Sequence, residues 1–232
     1  SDDGSSPTSS SALSNPGARP AASLLGALER RASEILQLGG GFTPQGTAVV
    51  LRALAALGAQ PGAVLLVAMQ KQAVETAGDF TPQGVSNLVW ALVTLKVPAS
   101  ESVDLLAAMQ TRASECLPDF NPKETSSLLW ALAKLGVQPD DGLLREMQRH
   151  AVGGVEKFAA SDVAMFVWAL ATLRVVPEPG LVGAMQARAV ATAELFQAQD
   201  ISMLTWSLAT MKEYDERKMG EYHESKMGEY HE

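Results

Sequence analysis

The stretch DFTPQGVSNLVWALVTL, residues 79–95, decides how this chain is to be read, because the same phrase recurs along it. DFNPKETSSLLWALAKLG follows at 119–136, KFAASDVAMFVWALATL at 157–173 and LFQAQDISMLTWSLATM at 195–211, with a weaker copy, GFTPQGTAVVLRALAALG, at 41–58. Trp90, Trp130, Trp168 and Trp206 stand 40, 38 and 38 residues apart, and Arg52 stands 38 before the first. A period of this length marks a stack of small units, each hiding against its neighbours an apolar face it cannot bury alone. The functional question becomes which surface, not which pocket.

Each unit divides into two helical patterns. In PGAVLLVAMQKQAVETA, from Pro61, residues Leu65, Leu66, Met69 and Ala73 fall on one face of an amphipathic helix, A. Helix B starts at a cap, Thr43, Thr81 or Asn121, followed by a proline at the first helical position, where the missing N–H has no cost. Val85, Leu88, Val89, Trp90, Ala91, Leu92 and Leu95 make helix B apolar almost all round, as suits the middle layer of a solenoid. Small residues recur at one place, Ala48, Ser86, Ser126, Ala164 and Ser202, and would let backbones approach closely. From Met69, Met109, Met147 and Met185 to the next phenylalanine is always 11 residues, so the extra residues, around 97–101 and 39–41, fall in turns.

The reading is all-α: a right-handed α-solenoid of about five 38-residue helical hairpins, with units near 23–58, 61–96, 100–136, 139–174 and 177–211. Residues 1–22, rich in Ser, Pro and Gly, read as a disordered lead-in, and 212–232, with KMGEYHE duplicated, as a charged low-complexity tail. A first residue Ser1 suggests a fragment or processed form.

Composition narrows the function classes. Half of the net charge of -8 lies outside residues 20–211, which hold 13 basic and 17 acidic residues, a balance that counts against a strong nonspecific polycation. Cys116 is the only cysteine, so no intrachain disulfide and no multi-thiolate metal site is possible, and a reducing compartment is implied. No apolar run is long enough to span a membrane. With His150 the sole histidine before the tail and no recurring nucleophile, base and acid, the chain reads as a non-enzyme without cofactor, small-molecule substrate or metal. His223 and His231, in the tail, make a weak metal site.

TPQGVSNLVWAL and PKETSSLLWALAKLG, on a 38-residue hairpin, resemble the octotricopeptide repeat family over residues 24–211. Pro82, Gln83, Asn87, Trp90, Ala91 and Leu92 match position by position, whereas Ala160 and Ser161 replace the Pro-Gln pair and Met165 and Met203 replace the asparagine. The resemblance implies an array akin to tetratricopeptide and pentatricopeptide proteins that binds particular single-stranded organelle RNAs and controls their processing, stability or translation. It favours the chloroplast stroma, with the mitochondrial matrix as alternative, and other helical-repeat proteins as further partners. Related FAST-kinase-like proteins often carry a RAP domain, which is not visible in this sequence. The alternative is a protein-binding scaffold without RNA contact, in keeping with the acidic balance.

Candidate RNA-binding residues lie on helix A, in ladders that would meet successive nucleotides. One place after the constant methionine stand Gln70, Gln110, Gln148 and Gln186; three places after stand Gln72, Arg112, His150 and Arg188, with Arg31 in the first unit. Amides and guanidinium groups suit base edges and phosphate. Two other readings stay open: Glu34, Glu75 and Glu115 sit at ion-pairing distance along the helix from nearby basic residues, as on a solvated face, and the glutamines border the apolar face, where they would hydrogen-bond neighbouring units. The tryptophans, at a constant place in an apolar helix, are assigned to the core rather than to base stacking, and the methionines likewise.

Overall fold

The computed structural model describes residues 18–39 and 41–212; the KMGEYHE duplication, His223, His231 and residues 1–17 of the lead-in lie outside the described residues. Helices alternate between two layers. The A helices are α1 (Ala18–Gln37), α3 (Ala63–Glu75), α5 (Val103–Cys116), α7 (Asp141–Gly153) and α9 (Leu181–Ala191). The B helices are α2 (Pro44–Ala56), α4 (Pro82–Thr94), α6 (Pro122–Lys134), α8 (Ala160–Thr172) and α10 (198–212). No strand occurs among the described residues. Helix α1 starts at Ala18, inside the stretch read as lead-in, and runs through Pro20. A proline is tolerated there because the first four amides of a helix have no intrahelical acceptor.

The start of each B helix is fixed by local chemistry. Thr43 and Thr81 accept at Oγ1 from the Gly46 and Gly84 amides at 3.1 and 3.2 Å. Asn121 accepts from the Glu124 amide while the Glu124 carboxylate accepts from the Asn121 amide, each at 3.0 Å, a reciprocal capping box. In α8 the cap residue is Ala159, which has no side-chain acceptor, and only the return half survives: the Asp162 carboxylate accepts from the Ala159 amide at 3.0 Å. Burial pushes the Asp162 carboxyl above its ordinary range, against the pull of that amide and of Lys123. From the second unit on, each cap is preceded by one 3-10 turn and a phenylalanine; Phe80, Phe120 and Phe158 are buried at the joint between the two helices of a unit.

The layers pack unequally. Successive B helices approach one another much more closely than successive A helices do. Ala48, Ser86, Ser126 and Ala164 are all buried at these crossings, where a larger side chain would hold the backbones apart. Leu51, Leu88, Leu92, Leu128, Leu132 and Leu170 fill the space around them, and Met69, Met109, Met147 and Met185 fill it from the A side. Interior burial of a leucine or methionine is worth roughly 1.5–3 kcal/mol each, so every unit is stabilised chiefly by its neighbours.

Each B helix of the first four units ends alike. The residue after the C-cap adopts a left-handed conformation, and the next one returns its N–H to a leucine carbonyl in the last turn: Ala59 to Leu54, Val97 to Leu92, Val137 to Leu132, Val175 to Leu170. Gly58 and Gly136 take this conformation freely, but in the second and fourth units Lys96 and Arg174 occupy it at φ of 56° and 54°. Lys96→Gly and Arg174→Gly are each expected to stabilise the chain by about 0.5–1 kcal/mol. The gain should appear as a higher urea midpoint with the m-value unchanged, whereas Gly136→Ala should lower the midpoint.

Candidate nucleic-acid interface

The structure gives most of the helix A ladder a task within the stack. Three places after the methionine, Arg112 Nε donates to the Phe80 carbonyl at 2.8 Å and Arg188 Nε to the Phe158 carbonyl at 2.7 Å. His150 Nε2 lies 2.8 Å from the Phe120 carbonyl. In each case a side chain from one unit reaches back to the phenylalanine of the unit before it. That carbonyl sits between a 3-10 turn and a helix cap, where no helical amide is available to it. Gln72, in the same register, lies so close against Gly41 that a β-carbon at that glycine would come within 2.9 Å of the Gln72 Oε1.

One place after the methionine, the glutamines reach forward. Gln110 Oε1 accepts from the Asp140 amide at 3.3 Å, at the cap of α7, and Gln148 Oε1 from the Glu178 amide at 2.8 Å, in the turn that leads into α9. Gln148 is 1% exposed and Gln70 9%. Forward and backward bonds together stitch unit to unit, the reading in which the glutamines serve their neighbours. Arg31 and Gln186, at the two ends of the ladder, are exposed; Arg31 pairs with Glu34 at 3.1 Å. Arg112 makes the same local pair with Glu115 at 3.1 Å in addition to its bond to Phe80.

The tryptophans correct the sequence reading in the other direction. Trp90, Trp130 and Trp168 are half-buried, not enclosed, and Trp206 is 48% exposed. They line one face of the B layer. Counting from the phenylalanine of each unit, positions 3, 7, 10 and 14 form a single stripe along helix B, and these are its least buried places: Gln83, Asn87, Trp90 and Thr94 in α4, Lys123, Ser127, Trp130 and Lys134 in α6. One signal in the sequence points here. Arg52 stands in the tryptophan column, and an unpaired arginine does not belong in a core.

Cations and rings interleave along this face. Arg52 lies 4.8 Å from the centroid of Trp90 and donates from Nη1 to Asn87 Oδ1 at 2.8 Å. Lys134 Nζ sits 4.4 Å from the ring of Trp168 and 5.8 Å from that of Trp130, bridging two units. Trp168 and Trp206 face each other at 6.2 Å with their planes 35° apart. Between α2 and α4 the stripe opens into a groove lined by Gln45, Ala48, Arg52, Gln83 and Asn87, with Asp79, which lies off the stripe, also on its wall. Across all five units the stripe carries no Asp or Glu, in a chain with 26 of them, but three cations, amides and four indoles. The arrangement suits a planar, anionic, extended ligand: rings and guanidinium offer stacking faces, amides offer both donors and acceptors, and the lysines neutralise charge. Cys116 lies away from this face, buried, its thiol pushed up chiefly by desolvation.

The two sets of residues separate by stability. Arg112→Ala and Arg188→Ala each remove a charged donor from a shielded carbonyl and are expected to cost about 1.5–3 kcal/mol in denaturant unfolding. Arg31→Ala, which breaks only an exposed pair, should change stability by less than about 0.5 kcal/mol.

Among the described residues no helix is long and apolar enough to cross a membrane, and no cluster of three or more metal-ligating side chains occurs. No individual curated protein matches the chain. A family model described as RNA-editing substrate-binding complex 6 protein (RESC6) matches residues 28–217, which covers the stack from within α1 onward and most of the chain. By that match, on a helical array whose B-layer stripe alternates indoles with cations, the chain belongs to the RNA-editing substrate-binding complex 6 protein family.

Proposed function

We propose that this protein is a single-stranded RNA-binding module of an RNA-processing assembly, and that the RNA runs along the B-layer stripe. The observation that carries this reading is the acid-free column of Arg52, Trp90, Trp130, Lys134, Trp168 and Trp206 on an otherwise acidic chain. The family description, which concerns an RNA-editing substrate-binding complex, agrees with it. Bases stack on the half-exposed rings, and Lys123, Lys134 and Arg52 meet phosphates. The side chains at positions 3 and 7, which differ from unit to unit, supply sequence preference; the octotricopeptide-like phrase places Gln83 and Asn87 there.

Of the helix A candidates, Arg31 and Gln186 keep exposed polar groups for a partner, while Gln70, Gln72, Gln110, Arg112, Gln148, His150 and Arg188 support the surface from behind. The module acts by binding, without catalysis or cofactor, and joins other helical proteins of the assembly. An RNA-editing family favours the mitochondrial matrix over the chloroplast stroma as its compartment.

A second reading, a protein-binding scaffold, has one observation behind it: Val64, Val67 and Val103 are 61–66% exposed on the outer A helices. Partners captured from an organelle extract that persist after nuclease treatment would support it.

The RNA reading is tested by affinity and its salt dependence. Selection from a random single-stranded pool should enrich defined sequences. Replacing Arg52, Lys123 and Lys134 together by Gln should lower the magnitude of the slope of log K against log salt by about 2, at roughly 0.7 per phosphate lost. Trp206→Ala should weaken binding by about 5- to 150-fold, the worth of one stacked base. Arg112→Ala, assayed under folded conditions, should leave affinity nearly unchanged; if instead Arg112→Ala abolishes binding and the stripe variants do not, the RNA lies on helix A.

A further inference from the structure

Arg52 is held from two sides. It leaves α2, crosses to the next unit and lies 4.8 Å from the centroid of Trp90, while its Nη1 donates to Asn87 Oδ1 at 2.8 Å. Trp90 and Asn87 stand three places apart on one face of α4, so ring and amide together set both the plane and the edge of the guanidinium. The bond sets the amide in turn. A guanidinium has N–H donors and no acceptor, so only the oxygen of Asn87 can face it, and the Nδ2 hydrogens are left for the groove that Asn87 lines. The remaining N–H groups of Arg52, whether they meet a base or a phosphate, add no acceptor to this corner.

Other polar groups of the stripe have no such fixed sense. Gln45 and Gln83, on the same groove, make no side-chain hydrogen bond among the described residues and can turn either end of the amide to a ligand. At the place of Asn87 the first, fourth and fifth units have Val49, Met165 and Met203, and the third has Ser127, whose hydroxyl both donates and accepts. Asp79, the acid on the groove wall, stands before the first turn of α4, whereas Asn87 stands in the second. The groove encloses about 720 Å³, enough for a base and its sugar.

We infer that the second unit selects a keto base, guanine or uracil, over an amino base, adenine or cytosine, and that Arg52 positions Asn87 to do so. Guanine O6 and uracil O4 carry lone pairs where adenine N6 and cytosine N4 carry hydrogens. A keto oxygen accepts from Asn87 Nδ2; an amino group in its place sets donor against donor and leaves both unpaired. The inference rests on the RNA reading of the stripe and adds to it the chemical sense of one unit.

Selection from a random single-stranded RNA pool, run in parallel on the full chain as wild type, Asn87→Asp, Arg52→Met and Arg52→Lys, tests this. Neither side chain is buried, so every variant should keep the wild-type circular dichroism spectrum. The wild-type consensus should contain a nucleotide at which G or U is favoured over A or C by about tenfold. Asn87→Asp, whose carboxylate meets Arg52 with one oxygen and the groove with the other, should turn that nucleotide alone to A or C. Arg52→Met frees the amide to rotate and should level the preference there with the rest of the consensus kept, whereas Arg52→Lys, which still donates to Oδ1, should preserve it. If the added carboxylate repels RNA outright, the contrast between Arg52→Met and Arg52→Lys decides. A consensus that none of these changes alters, with RNA still bound, would overturn the inference and leave the RNA reading standing; a wild type that enriches no RNA would overturn both.

Discussion

A helix that is apolar on nearly every side cannot exist by itself, and the B helices of this chain are of that kind. α4 and α8 bury residues around most of their circumference, so each needs a B neighbour before it, a B neighbour after it and an A helix on a third side. The stack supplies all three. The rest follows from that demand: small residues where backbones cross, a phenylalanine at the joint, and polar side chains on helix A that satisfy the backbone groups exposed where one unit meets the next.

The same demand explains why a ladder of Gln and Arg that looks functional in sequence also has an architectural task, in Gln110, Arg112, Gln148, His150 and Arg188. A periodic polar position on a repeat protein has two possible audiences, a ligand that runs along the surface or the neighbouring unit. Spacing alone does not separate them. The carbonyls of Phe80, Phe120 and Phe158, left without a helical donor by the turn they occupy, engage Arg112, His150 and Arg188 for the neighbour. The side of helix B that remains after three sides are covered is then the surface the fold leaves free, and the tryptophans lie on it.

Much of this is legible from the residues. The alternation of A and B helices, the Thr-Pro and Asn-Pro starts, the buried methionines and the small-residue crossings follow from periodicity and caps whose physics is local. The start of α1 is hidden because Pro20 and its flanking residues resemble a linker, although the first turn of a helix tolerates proline. The exposure of the tryptophans is hidden because a constant aromatic in an apolar helix is usually enclosed; only Arg52, sharing their column, shows that the column meets water. Of the inter-unit bonds, those of the glutamines are legible only as one open reading, and those of the arginines and histidine are not legible, because a bond such as Arg112 to Phe80 depends on the pitch of the stack and not on the spacing within one unit.

Photo-crosslinking of the folded chain to a selected single-stranded RNA, with the adducts mapped by mass spectrometry, tests the division between the two layers most directly. The account expects adducts on B-helix peptides that contain Trp90, Trp130, Lys134, Trp168 or Trp206. Adducts confined to the A helices, around Arg112, His150 and Arg188, would contradict it.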